Sequence, residues 1–284
     1  MHVSIASILQ FVAPYEFSPT VALVALLSLA AYIRGLRLRG LKGRGARAFA
    51  FITGVVLMYA SLQTQYDYWS QHMFFVHRAQ HLILHHLGPF LIALSAPFAT
   101  LHAGVPEPIR GRALDPILAN RVLRACYRAV QQPVVSGILF VGLIYFWLIP
   151  QIHFYAMLNV PTYNAMNWGM AIDGLLFWHV MLDRRVPSPG GAAGYGIRLG
   201  ILIAVAFPQI LLGALISFAQ HDLYPVYAVC GRMWPISPVV DQQLGGLITW
   251  IPPAMMSFVG LLVVLSQWMR NANPEGLPAA AVQR

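Results

Sequence analysis

Charged residues are scarce in this chain of 284 residues, at 10% of the sequence, whereas hydrophobic residues make up 58%. An ordinary soluble domain is about a quarter charged. The apolar residues do not form one anchor, because stretches of about 20 of them recur along the whole length. The composition therefore argues against a soluble protein and predicts a polytopic membrane protein.

Several motifs of catalysis and transport are also missing. The sequence has no glycine-rich phosphate loop, no HExxH motif and no Ser-His-Asp set in recognisable surroundings. We therefore expect a protein that is not an enzyme. There is also no internal repeat, which lowers the case for the inverted-repeat architecture of many secondary transporters.

Seven apolar segments are long enough to cross roughly 30 Å of hydrocarbon as helices. They cover residues 17–34, 48–65, 79–101, 134–150, 164–182, 199–219 and 244–267. The sequence thus predicts an all-α fold, a single domain over residues 1–272 in which seven transmembrane helices form one bundle. Residues 273–284 are predicted to be a disordered cytoplasmic tail. The first segment has no basic start and no small-residue cleavage site before it, so we expect it to be retained.

Lysine and arginine are distributed very unequally among the predicted loops. Sixteen of the eighteen fall on one side of a seven-helix bundle, which leaves only Arg78 and Arg232 for the other side. Because cytoplasmic loops hold the positive charge, this distribution predicts an outer amino terminus and an inner carboxyl terminus. The two cysteines, Cys126 and Cys230, then lie on opposite sides and cannot pair within one chain.

The formal net charge of +9 follows from this topology. It predicts contact with anionic lipid of the inner leaflet. It does not indicate a nucleic-acid partner, because no soluble domain carries a basic patch interleaved with aromatic residues. Within "LDPILANRVLRACYRAVQQP", apolar residues recur at helical spacing between arginines, which predicts an amphipathic helix on the inner membrane surface.

Histidine is concentrated in one place, since five of the ten histidines lie between His72 and His86. His77, His81 and His85 are four residues apart, so a helix would present them on one face. His86 would be offset by about 100°. Imidazole is a common ligand of transition metals. The spacing therefore predicts one side of a metal site, with His72 as a further candidate; hydrogen bonds to head groups or carbonyls are the alternative.

The predicted topology brings further polar groups to the same outer face. Cys230 and Met233 offer soft sulfur ligands, which select monovalent copper, although both could simply pack. Asp173 lies near the middle of the fifth segment, where an ionised carboxylate is costly. It therefore needs a proton or a partner such as a histidine of the third segment. The other outward groups are Asp67, His153, His221, Asp222 and Asp241.

Three blocks of sequence occur in order along the chain: "HRAQHLILHHLGPFLIALSAP", "GLLFWHVMLD" and "DQQLGGLITWIPP". This arrangement resembles the CtaG-like family of polytopic cytochrome c oxidase assembly factors. The resemblance places His77, Gln80 and His81 at the paired-histidine positions and Asp241 in the last block. It implies a role in making an active haem-copper oxidase at a copper-dependent step. Oxidase subunits and a periplasmic copper chaperone are the partners it implies. Arg78 and Ala79 stand where the family commonly has apolar residues, often including Met.

The favoured hypothesis is a membrane assembly factor that binds copper at its outer face through His77 and His81. We expect a solvent-reachable rim, where ligands can exchange one at a time with those of a partner. The alternatives are a haem-carrying redox protein, in which His81 or His85 pairs with His153, and a metal transporter. The candidates to complete the copper site are His72, His85, His153, His221 and Cys230, with Gln80, Asp173 and Asp241 in support.

Overall fold

The computed structural model of the chain describes residue 11 and residues 13–40, 42–188 and 191–272. Within these ranges the fold is all-α, apart from one isolated bridge between Pro187 and Ala192. The predicted tail, residues 273–284, lies outside the described residues.

The helices follow one another with short connections. Two π-helical turns, Leu82–Leu87 and Arg110–Leu114, interrupt the α-helical series. In the described ranges the α-helices are α1 (Pro19–Arg39), α2 (Gly45–Gln63), α3 (Gln65–His72), α4 (Phe74–His81), α5 (Gly88–Ser95), α6 (Phe98–Gly104), α7 (Glu107–Ile109), α8 (Asp115–Ala119), α9 (Arg121–Val130), α10 (Pro133–Leu148), α11 (Pro150–Leu158), α12 (Val160–Met181), α13 (Tyr195–Phe218), α14 (Val226–Cys230) and α15 (Pro238–Ala272).

Four of the described helices, α1, α2, α13 and α15, are long and apolar enough to cross a bilayer alone. Two bent pairs raise the number to six if each pair is one span. In the first pair, Phe74–Ser95 meets α6 at 74°, and in the second α9 meets α10 at 72°. These spans coincide with six of the seven predicted segments.

The fifth predicted segment forms helix α12, which has 22 residues but lower hydropathy than the other spans. The reason lies in its polar residues, among them Asn167 and Asp173. Both side chains hydrogen-bond to histidines of the third segment. The groups that lower the hydropathy of α12 therefore face the interior of the bundle and not lipid.

Close packing joins α12 to the π-helical turn Leu82–Leu87. A Cβ atom on Gly174 would lie 2.4 Å from the backbone oxygen of His85, so glycine is required for this approach. Below this contact, Phe140 stacks on Phe177 with ring centroids 3.7 Å apart and on His85 at 4.1 Å. The largest core cluster thus continues directly from the histidine segment.

The stretch predicted as one amphipathic helix is divided: its first part forms α8, and its longer second part forms α9. Asn120 caps it by accepting the backbone N–H groups of Val122 and Leu123. None of its residues is buried, and Val122 is 72% exposed. An exposed apolar side chain on a helix that turns away from α10 is typical of a helix lying on a membrane surface.

Candidate metal centre

A residue of the last long helix, α15, fixes the position of α4, the helix that carries His77 and His81. The carboxylate of Asp241, on α15, accepts the backbone N–H groups of Phe74 at 3.0 Å and Phe75 at 2.9 Å. These are unpaired donors of the first turn, where the helix dipole also favours a negative charge. Arg232 pairs with the same carboxylate, which is fully buried. Asp241 therefore anchors the start of α4 inside the bundle.

His77 lies at the centre of a group of aromatic and imidazole rings. Its ring centroid is 4.3 Å from that of His81 and 5.2 Å from that of His153. The side chain is completely buried and the backbone of Ser70 lies close to the ring, yet neither Nδ1 nor Nε2 makes a well-aligned hydrogen bond. A buried polar atom without a partner costs about 1–3 kcal/mol. Such an atom in a folded protein is typical of a position that binds a water molecule or an ion or has a functional role.

The partners of His81 assign its tautomer. Its Nε2 is 3.2 Å from the side-chain oxygen of Asn167, which only accepts, so Nε2 carries the proton. Its Nδ1 is 3.3 Å from the guanidinium of Arg78, which only donates. The lone pair of His81 is therefore on Nδ1 and accepts a hydrogen bond that a metal ion would replace.

The tautomer of His153, on α11, follows from the same reasoning. Its Nδ1 donates to the backbone oxygen of Trp147 at 3.1 Å. The lone pair is therefore on Nε2, which accepts the hydroxyl of Tyr227 at 2.9 Å. The rings of His77, His81 and His153 are thus neighbours, and the proton-free nitrogens of His81 and His153 each accept one hydrogen bond.

Gln80 and Asp67 form a hydrogen-bonded network beside these rings. Gln80 donates to Asp67 and to the backbone oxygen of Ser61, both at 2.7 Å. Tyr163 donates to the same carboxylate at 2.8 Å. Burial raises the pKa of Asp67 above its ordinary value, although the hydrogen bonds from Tyr163, Gln80 and Gln71 oppose this rise. The network ties α3, α4 and α12 together.

A polar cavity of about 280 Å³ reaches this network from the end of the bundle that carries Glu16 and Ser18. Its inner lining includes Asp67, Tyr163 and Asn167. Asn167 bonds to His81, so one side chain separates the cavity from the imidazole group. Two carboxylates on the lining make the cavity attractive to cations.

The π-helical turn changes the register after His81. His85 bonds through Nε2 to Asp173 at 3.0 Å, and His86 bonds to Gln209 at 3.0 Å. The predicted partner of Asp173, a histidine of the third segment, is thereby confirmed. His85 makes its hydrogen bond to Asp173 and not to the rings of His77 and His81, and its expected place on their ligand face stays a prediction. His85 belongs to a second polar group deeper in the bundle.

The remaining candidates lie away from the three imidazole rings. His72 is half-buried and bonds through Nδ1 to the backbone oxygen of Tyr68 at 2.7 Å. His221 is exposed in the connection between α13 and α14. Cys230 is half-buried beside the cluster that contains Tyr227, and burial raises the pKa of its thiol. Met233 is 41% exposed.

Residues 30–271 match the family described as cytochrome c oxidase caa3 assembly factor, Caa3_CtaG. The chain belongs to this family. The match covers the helices of both polar groups, so the resemblance seen in the three sequence blocks is confirmed. The family is described as an assembly factor, which is not a class of catalytic enzyme.

Curated relatives occur in mycobacteria. An uncharacterized protein of Mycobacterium bovis and one of Mycobacterium tuberculosis are each 26% identical to the chain over 267 residues, which is 87% of the chain. An uncharacterized protein of Mycobacterium leprae is 25% identical over 283 residues. The matched regions are 38% and 41% of those proteins, so the chain spans about two-fifths of their length. No solved structure matches.

The structure corrects the expectation that the metal site is accessible to solvent. We expected a solvent-reachable rim, but His77, His81 and His153 are at most 1% exposed. The reason is that α11, α12 and α14 cover the helix that the topology placed at the surface. In the described residues, no three His, Cys, Asp or Glu side chains form a preformed metal-holding group.

Sequence reasoning missed three side chains that hold the imidazole group in place. Asn167 could have been found, because a polar amide inside an apolar segment requires a partner just as Asp173 does. The sequence singled out Arg78 by its place on the outer side and by its departure from the family pattern, not by any role beside the histidines. It is 5% exposed and bonds to Thr249 and His81. No feature of the sequence indicates the role of Tyr227, because that role depends on how α14 packs over α11.

Proposed function

We propose that this protein is an assembly factor for a haem-copper oxidase that binds monovalent copper through His77 and His81, with His153 as a third ligand. Copper is its cargo, which it receives from a periplasmic copper chaperone and passes to an oxidase subunit. It acts as a seven-span protein of the bacterial inner membrane, with its amino terminus outside and its carboxyl terminus inside.

The observation that carries this proposal is the state of His77. A fully buried imidazole with two unpartnered nitrogens is destabilising unless something binds it. Its nearest ring neighbours are two neutral imidazoles. A protonated ring would be disfavoured at this depth, whereas neutral imidazoles are suitable ligands for a copper ion.

The lone pairs of His81 and His153 support transfer as well as binding. Each accepts one hydrogen bond, from Arg78 and from Tyr227 respectively. When copper leaves, these donors can satisfy the lone pairs again, so the empty state of both histidines is stable. A site of this kind releases its ion at lower cost than one whose ligands would all be left unpaired.

The polar cavity provides the route to the site. It ends at Asn167 and Tyr163, so copper reaches His81 when these two side chains rotate aside. The acidic residues Glu16 and Asp67 line the same route and attract a cation. This route replaces the exposed rim as the means of exchange.

The seven-span topology is supported by the inward-facing polar groups of α12 and by the two arginines of the outer half. Arg78 bonds within the bundle, and Arg232 pairs with Asp241. Both exceptions to the positive-inside distribution are therefore explained by internal partners.

The direct test is copper analysis of the purified protein under anaerobic, reducing conditions. We expect about one copper per chain in the wild type and almost none in the double variant His77→Ala, His81→Ala. The matched control is His72→Ala, His221→Ala, which removes two histidines outside the imidazole group and should retain copper. Equal copper in both double variants, or none in the wild type, would contradict the proposal.

Delivery is tested in membranes of a strain from which the gene is deleted. The wild-type protein should restore oxidase activity and oxidase-bound copper, and the His77, His81 double variant should restore neither while accumulating to the same level. Full restoration by that variant would show that assembly does not use this site.

A further inference from the structure

A second polar region lies at the opposite end of the bundle from the polar cavity. It is a groove of about 450 Å³ between α15 and the connection that follows α12. Charged and polar side chains line one end of the groove, and apolar side chains line the rest. The residues that define this basic groove are Arg184, Arg270, Gln267, Leu94, Leu262 and Val263.

The arginines of the groove have no acidic partner among the described residues. The nearest carboxylate in sequence, Asp183, is bonded to Arg185 at 2.7 Å. Arg184 donates to the backbone oxygen of Leu94 at 2.8 Å, which fixes its guanidinium at the mouth of the groove. Its remaining N–H groups have no hydrogen-bond partner in the described part of the chain, so they can bind an anion.

Positive charge converges here from three parts of the chain. Burial lowers the pKa of Arg184, and the charges of Arg47 and Arg270 lower it further. Arg47 lies at the start of α2 and Arg270 near the end of α15, so folding brings the three together. A cluster of like charges without acids is unfavourable by itself, and an anionic ligand would relieve the repulsion.

Aromatic residues mark the depth of the groove in the membrane. Trp268, near the end of α15, stacks on Tyr195, at the start of α13, with ring centroids 6.1 Å apart. Tryptophan and tyrosine of this kind concentrate at the level of the lipid head groups. The arginines therefore lie at the depth of lipid phosphates, and Leu262 and Val263 continue one helical turn or more toward the hydrocarbon.

We propose that the basic groove binds one anionic phospholipid, with its phosphate between Arg184 and Arg270 and an acyl chain along Leu262 and Val263. Charge complementarity selects the anionic head group, and the apolar lining selects a lipid over a free phosphate ion. Basic pockets between transmembrane helices on the cytoplasmic side are suited to such lipids.

The experiment uses native mass spectrometry of the full-length protein in an uncharged detergent. Dioleoylphosphatidylglycerol, dioleoylphosphatidylcholine or inorganic phosphate is titrated in. We expect one tightly bound phosphatidylglycerol per chain, much weaker binding of phosphatidylcholine, and no displacement by millimolar phosphate. In the variant Arg184→Gln, Arg270→Gln, affinity for phosphatidylglycerol should fall roughly 30-fold, as expected from about 1 kcal/mol per arginine.

Two further variants separate this result from general charge or folding effects. Arg121→Gln, Arg124→Gln removes the same charge from α9, outside the groove, and should bind phosphatidylglycerol like the wild type. Leu262→Trp fills the apolar part with both arginines intact and should also weaken binding. The proposal is overturned if phosphatidylcholine binds equally, if phosphate displaces the lipid, or if the groove variants bind normally.

Discussion

The carboxylate of Asp241 lies 3.0 Å from the backbone nitrogen of Phe74, a residue 167 positions earlier in the chain. This bond joins the last long helix to the first turn of the histidine helix. The imidazole group of His77 and His81 is therefore positioned from α15, although neither histidine belongs to it.

Replacing Asp241 with Asn should destabilise the protein by about 3 kcal/mol, because it leaves the half-buried Arg232 without its close carboxylate and weakens the cap at Phe74 and Phe75. Thermal unfolding in detergent measures the effect. Asp222→Asn is the matched control: Asp222 is 3.8 Å from Arg232 and more exposed, so its loss should cost much less. Equal effects of the two substitutions would show that capping of α4 is unimportant.

Replacing His77 with Phe should abolish copper binding and yet leave the protein as stable as before, or more stable by about 1 kcal/mol. The reason is that phenylalanine fills a similar space without unsatisfied nitrogens. His153→Phe should instead destabilise, since it removes the partners of Tyr227 and of the Trp147 carbonyl. Copper analysis and unfolding are measured on the same samples. Marked destabilisation by His77→Phe would indicate a structural role for His77.

Replacing Gly174 with Ala should cost about 2 kcal/mol, because the added methyl group overlaps the backbone of His85. Gly169→Ala lies on the same helix, where the nearest atom to the new Cβ is 3.8 Å away. That control should be neutral or stabilising by up to about 1 kcal/mol from helix propensity. The difference in unfolding midpoint between the two variants is the decisive quantity.

Replacing Asp173 with Leu should destabilise the fold by about 1–3 kcal/mol, since His85 loses its hydrogen-bond partner. Copper binding should persist, because His85 is not part of the His77 group. Asp173→Asn retains an acceptor and should be milder. Loss of copper in Asp173→Asn, in a protein that remains folded, would place the second polar group in the metal site.

The helices could be predicted well from the sequence, because a membrane-spanning helix needs a long apolar segment, which is visible in the sequence. Six of the predicted segments coincide with candidate spans, and α9 appears where the arginine and apolar pattern predicted it. The family could be recognised from three short sequence blocks and their order, which requires no knowledge of the three-dimensional structure. The seven-span count and the orientation stay predictions.

The candidate site was only partly predictable. Spacing along one helix correctly joined His77 and His81, and topology correctly added His153 as a group from another segment. The burial of the site depends on how α11, α12 and α14 fold over α4, which no local pattern encodes. The hydrogen bond of His85 depends on where α12 places Asp173, which the regular four-residue spacing of the histidines does not show.

The π-helical turn Leu82–Leu87 has a consequence for changes in chain length. A π-helix accommodates one more residue per turn than the helices that flank it. Deleting a single residue there would restore α-helical winding and leave the residues before and after the turn at nearly the same relative rotation, because the α-helical turn needs one residue fewer. His77 could then keep its neighbours, whereas His85 and His86, which lie within the turn, would have to move relative to Asp173 and Gln209. A one-residue deletion in this turn should therefore disturb the second polar group more than the imidazole group.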